Sequence, residues 1–123
     1  MSNQEIDVHG NEIWRDNKGG LHRLDGPAIV YIKGREEWYK NNKLHREDGP
    51  AITNQRGTKY WYVNGMRHRL DGPAMEYPNG DKFWWVNGVE VSGPKELLKY
   101  GARVEDIAEY LTPREIAKIK LDK

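Results

Sequence analysis

Three His-Arg pairs, His22-Arg23, His45-Arg46 and His68-Arg69, are each followed two residues on by an aspartate: Asp25, Asp48 and Asp71. An imidazole beside a carboxylate can act as an oriented general base. Acyl or group transfer also needs a nucleophile in the same constellation. The only serines, Ser2 and Ser92, lie outside the motif, and the chain has no cysteine. A reactive site also rarely comes in three near-identical copies, so the pattern predicts no catalytic residue and a chain that is not an enzyme. Metal chemistry fares no better. Equivalent histidines on successive hairpins would stand about 9 to 10 Å apart, whereas zinc ligands must come within about 2 Å of one ion. No metal and no cofactor are expected.

Binding chemistry remains. Arg23, Arg46 and Arg69 with His22, His45 and His68 offer one polar column, and Tyr39, Tyr62 and Trp85 offer an aromatic one. The aromatic column could stack bases while the arginines, Lys59 and Lys82 meet phosphates, so a small nucleotide or RNA is one candidate ligand. Twenty basic against nineteen acidic residues leave a formal charge of +1, which supplies no long-range field for nucleic acid or an anionic membrane. A structural reading of the motif competes with both. The aspartates can accept turn amides, the arginines can pair with them in weak exposed ion pairs, and Pro27, Pro50 and Pro73 can start strands where no ladder donor is needed.

The elements that carry these residues recur every 23 residues: Gly34, Gly57 and Gly80 keep the spacing, as do Trp38, Trp61 and Trp84. A fixed period of this size marks a repeat architecture. After an irregular partial unit over residues 11–20, the units span about 21–43, 44–66 and 67–91. First strands are expected over 28–32, 51–54 and 74–77, and second strands over 36–40, 58–63 and 81–86. Lys33-Gly34, Arg56-Gly57 and Asn79-Gly80 turn the chain between them, and Asn41-Asn42, Asn64-Gly65 and Asn87-Gly88 tolerate the positive φ of tight hairpin turns. Alternation places Trp38, Trp61 and Trp84 on one face, expected to form a spine with Ile29, Ile52 and Met75. Tyr39, Tyr62 and Trp85, with Tyr60 and Phe83, take the other, either covered by the C-terminal segment or left as a contact surface.

Residues 1–10 show no periodicity and read as a loosely attached lead-in. The first turn, before His22, carries one extra residue. After Val91 the motif fails to return, and Ser92-Gly93-Pro94 reads as a helix start with Ser92 as cap, the helix ending at Gly101. A second helix over 104–111 would show Val104, Ile107, Ala108 and Leu111 on one stripe. Thr112 and Glu115 have capping-box spacing for a third, which carries Ile116 and Ile119. Residues 1–91 are thus read as repeats and 92–123 as a helical cap that closes the last sheet edge.

At 123 residues with 32% charged and 37% hydrophobic, the chain is one thin-cored domain. Five Trp and seven Tyr argue against disorder. Its first residues lack a basic stretch leading into an apolar run, and no segment approaches membrane-spanning length, so a cytoplasmic monomer is expected, with the hairpin edges leaving a dimer open.

The order Asn64-Gly65-Met66-Arg67-His68, Gly72, Tyr77-Pro78-Asn79-Gly80-Asp81, Trp84, Asn87-Gly88 resembles the MORN repeat. It is more similar to the variant repeats of YwqK-like bacterial proteins and of phage and giant-virus proteins with an Asn-Gly-x-x-His-Arg-x-Asp-Gly-Pro-Ala signature. Here Arg rather than Gly follows His, which departs from ordinary MORN units. The resemblance, over about residues 11–91, implies a mainly β, single-sheet solenoid of stacked antiparallel β-hairpins and a scaffold that binds other proteins. Some bacterial variants are described as antitoxin-like. Carried into a phage setting, this implies an inhibitor of a bacterial defence or toxin protein.

Overall fold

The computed structural model describes residues 3–122. Its strands are short: β1 (Asn3–Ile6), β2 (Glu12–Arg15), β3 (Ile29–Val30), β4 (Glu36–Glu37), β5 (Tyr39–Lys40), β6 (Lys43–Leu44), β7 (Ile52–Thr53), β8 (Lys59–Tyr60), β9 (Tyr62–Val63), β10 (Met66–Arg67), β11 (Met75–Glu76), β12 (Lys82–Val86) and β13 (Val89–Val91). Nine form one antiparallel sheet in the order β1-β2-β3-β4-β7-β8-β11-β12-β13, so each full unit adds two strands.

Glycine places the first turn of each unit. Tyr31 and Arg35, Asn54 and Thr58, and Tyr77 and Asp81 close loops in which Gly34, Gly57 and Gly80 hold φ of 95°, 92° and 94°. A side chain is strained there, and a Gly in this conformation closes a hairpin with a bulge. Residues 3–10 are not a loose lead-in. β1 pairs with β2 from Asn3↔Arg15 to Ile6↔Glu12, and Gly10, at φ 90°, closes their turn. Met1 and Ser2 lie outside the described residues.

The expected single sheet is also corrected, because the second strands over 36–40 and 58–63 break. The Trp38 amide donates to Ala51 O (2.7 Å) while its carbonyl accepts from the His45 amide (3.0 Å), so its two backbone bonds point to different partners. Trp61 repeats this with Ala74 (2.8 Å) and His68 (3.2 Å). Beyond each Trp the chain leaves the large sheet to form a separate hairpin, β5-β6 and β9-β10. In the last unit β12 runs unbroken, pairing with β11 at its start and β13 at its end.

The register reassigns the spine. Cross-strand partners share a face, and the row Ile13, Ile29, Glu37, Ile52, Tyr60, Met75, Phe83 puts Ile29, Ile52 and Met75 beside the Tyr60 and Phe83 positions rather than with the tryptophans. The Trp backbones bond instead to Ala28, Ala51 and Ala74, each fully buried.

The main apolar core lies at the C-terminal end. A 3₁₀ helix (Pro94–Tyr100) is followed by α1 (Val104–Ile107), a further 3₁₀ turn (Ala108–Tyr110) and α2 (Pro113–Leu121). Leu97, Val104, Ile107 and Leu111 pack on Val86, with Leu70, Trp84, Val91, Ile116 and Ile119 around them. Ser92 does not cap the first helix. Gly93 occupies that position with no side-chain bond, and Gly101 ends the helix in the left-handed conformation. Thr112 and Glu115 do form the capping box of α2.

Candidate functional site

The His-Arg-x-Asp-Gly-Pro loop folds around its arginine. Each guanidinium lies over a Trp ring: Arg23 on Trp14 at 3.9 Å, Arg46 on Trp38 at 3.8 Å and Arg69 on Trp61 at 3.8 Å. The opposite side of each guanidinium meets the motif glycine. A Cβ on Gly26, Gly49 or Gly72 would stand 2.7, 2.9 or 2.5 Å from the guanidinium carbon, so glycine serves close approach here rather than turn geometry. Nε donates to Asp25, Asp48 and Asp71 at 3.1, 2.9 and 2.8 Å, and Nη1 donates to the carbonyls of Pro27, Pro50 and Pro73. The aspartates are therefore bound to arginine rather than to turn amides. Arg46 holds the Asp48 carboxyl below its ordinary range. A planar, forked cation suits this slot in a way lysine does not.

The histidines are also engaged. The turn amides of Asn41, Asn64 and Asn87 donate to Nδ1 of His22, His45 and His68, each at 3.0 Å. An accepting Nδ1 places the proton of the neutral ring on Nε2. Burial lowers the pKa of His68.

Successive loops share two equivalent recesses. One, of about 290 Å³, holds Arg23, Trp38, His45 and Asp48; the other, of about 690 Å³, holds their counterparts Arg46, Trp61, His68 and Asp71, with Arg103 and Asp106 of the helical segment added as a wall. Among the described residues no group of three or more His, Asp or Glu is arranged to hold a metal ion.

Tyr39, Tyr62 and Trp85 lie on a different surface. Trp84 faces the helices, where Tyr110 meets it edge-on at 5.1 Å, so the next residue, Trp85, points away from them. The aromatic column is thus not covered by the C-terminal helices, and all three of its side chains are half-buried. Tyr39 Oη donates to Glu37 (2.9 Å), Arg67 Nε donates to Tyr62 Oη (3.3 Å), and the Arg67 guanidinium sits 4.9 Å from the Trp85 ring centre. Trp85 Nε1 is buried without a hydrogen-bond acceptor. Tyr77 extends the layer, meeting both Tyr60 and Phe83 edge-on at 5.8 Å. The nine candidate binding residues therefore divide between two surfaces.

Glu37 is a residue that the motif-based reading missed. It is 6% exposed, and its carboxylate accepts from Arg35 Nε (2.6 Å) as well as Tyr39. Its signal was the period itself, since 37 is the position occupied by Tyr60 and Phe83 in later units. Burial and the Glu37 charge raise the pKa of Tyr39 and of Tyr31, and the bond to Tyr77 raises that of Tyr60.

No family model, curated protein or solved structure matches this chain. No helix among the described residues is long and apolar enough to cross a membrane.

Proposed function

We propose that the chain is a non-enzymatic, monomeric module, a solenoid of MORN-like hairpins, that binds a protein partner through the side carrying Tyr39, Tyr62 and Trp85. The observation that carries this reading is the half-exposed layer of Tyr31, Tyr39, Tyr60, Tyr62, Tyr77, Phe83 and Trp85 on the side away from the helices. Tyr, Trp and Arg dominate the energetic centres of protein interfaces because they combine large apolar area with a polar tip. Arg35 and Arg67 sit within this layer. The His-Arg-x-Asp-Gly-Pro loops have the weaker claim, since their guanidiniums and one nitrogen of each imidazole are already used internally. Nucleotide or RNA binding is disfavoured by the Glu37 carboxylate in the aromatic layer and by Arg67 over the Trp85 ring. The likeness to phage-type repeats supplies the partner class to try first, a bacterial defence or toxin protein.

The test is a pull-down from bacterial lysate with the intact chain and a Tyr39→Ala, Tyr62→Ala, Trp85→Ala variant shown to be folded by circular dichroism. A protein retained by the parent and lost by the variant is the expected result. Equal retention by both chains, or a co-purifying nucleotide or RNA without any protein, overturns the reading.

A further inference from the structure

The hairpins that carry the Asn turns, β5-β6, β9-β10 and β12-β13, stack on one another and on the turn before Leu21 without a continuous ladder. Their turns are tight because Asn41, Asn64 and Asn87 take φ of 51°, 50° and 48°, and this leaves the amide of each Asn facing the preceding hairpin. The same three hydrogen bonds recur at each neighbouring pair, and at the first pair the Leu21 amide adds a fourth to Asn42 Oδ1 (3.1 Å). At the first interface the Asn42 amide donates to Leu21 O (2.8 Å), the Arg23 amide donates to Tyr39 O (3.1 Å), and the Asn41 amide donates to His22 Nδ1 (3.0 Å). The set recurs 23 residues on with Gly65 to Leu44, Arg46 to Tyr62 and Asn64 to His45. It recurs once more with Gly88 to Arg67, Arg69 to Trp85 and Asn87 to His68. At every interface one acceptor of this recurring set is an imidazole nitrogen.

A neutral imidazole accepts at Nδ1, whereas an imidazolium carries protons on both nitrogens and can only donate. We propose that this hairpin stack is an acid-sensitive layer: protonation of His22, His45 and His68 removes one hydrogen bond from each interface and loosens the stack while the nine-stranded sheet, joined by backbone bonds, stays paired. In a repeat array such interface terms add, so three small losses act together.

Charged groups surround each ring. His22 faces the carboxylate of Asp16 and shares its recess with Lys18. His45 has Glu47 3.5 Å from Nε2, with Arg23, Lys40, Arg46 and Asp48 around the same recess. His68 shares its recess with Arg46, Glu47, Asp48, Arg69 and Asp71, and with Arg103 and Asp106 of the helical segment. A carboxylate near Nε2, as at His45, cannot restore an acceptor at Nδ1 once the ring is protonated. For His68, burial lowers the folded pKa below the unfolded value of about 6.5, so its contribution is complete above about pH 6.5 and is lost as pH falls through the lower folded value.

The experiment uses the full chain labelled with ¹⁵N. Imidazole nitrogen shifts at neutral pH should show an unprotonated Nδ1 on all three residues. Amide exchange, corrected for intrinsic rate, is then compared between about pH 7.5 and about pH 5, and protection at Asn41, Asn64 and Asn87 should fall by roughly tenfold while Ala51 and Trp61 in the large sheet change little. A His22→Gln, His45→Gln, His68→Gln variant should lose this pH dependence. If that variant does not fold, the wild-type data still decide. A proton on Nδ1 at neutral pH, or unchanged Asn protection once the rings are protonated, overturns the proposal.

Discussion

The C-terminal end and the repeated units are held together by different physics. Five buried apolar side chains from strand and helices, Ile107 and Leu97 fully buried among them, close an ordinary core. In the units, the small side chains of Ala28, Ala51 and Ala74 are buried beside Ile29 and Ile52, and Trp14, Trp38 and Trp61 are each covered by a guanidinium that fills the space a larger side chain would need. The first arrangement draws on area removed from water. The second depends on shape and hydrogen bonding, with each cation on its ring contributing about 1 kcal/mol. A short repeat can therefore hold together on a small apolar core, here Ile29 and Ile52 with the alanines, provided that the planar groups stay in register.

This contrast can be broken most forcefully at the core. Ile107→Ala should cost about 2 to 5 kcal/mol because a fully buried side chain leaves a cavity, and urea unfolding followed by Trp fluorescence should show the midpoint fall. A loss below about 0.5 kcal/mol would mean that the helices contribute little to the fold.

Gly72→Ala comes next. Its Cβ would stand 2.5 Å from the Arg69 guanidinium carbon, so overpacking of about 1 to 3 kcal/mol is expected. A second substitution, Arg69→Ala, should recover part of that cost in a double-mutant cycle. Strict additivity would sink the sandwich as the reason for the glycine. The smallest effect is at the helical end, where Thr112→Ala removes the capping box of α2 for about 1 kcal/mol, read as a modest drop in melting temperature.

Much of this arrangement was legible from spacing. The 23-residue period located the units and the turn glycines, and the Thr112–Glu115 spacing located the cap of α2, because those features are local and dictated by backbone conformation. The breaks at Trp38 and Trp61 were not legible, since they arise from bonds to Ala51 and Ala74 in the following unit. Nor was the guanidinium against Gly26, Gly49 and Gly72, because a glycine before proline reads equally well as backbone freedom. The first hairpin was hidden by its unrelated letters, although Asp7 to Asn11 closes the same kind of turn as Tyr31 to Arg35. Of the candidate site, the aromatic column was visible by alternation. The side taken by the helices required the packing of Trp84 on Tyr110.

That last contact has a consequence for reach. Trp14, Trp38 and Trp61 each receive an arginine from the loop that follows, and Trp84 receives Tyr110 instead, so the helical segment stands in for a unit that does not come. Every unit placed before this substitution widens the sheet by two strands, about 9 to 10 Å. The position of Ser92-Gly93-Pro94 is in effect a stop mark on a molecular ruler, fixing how many two-strand steps the sheet takes before the helices begin.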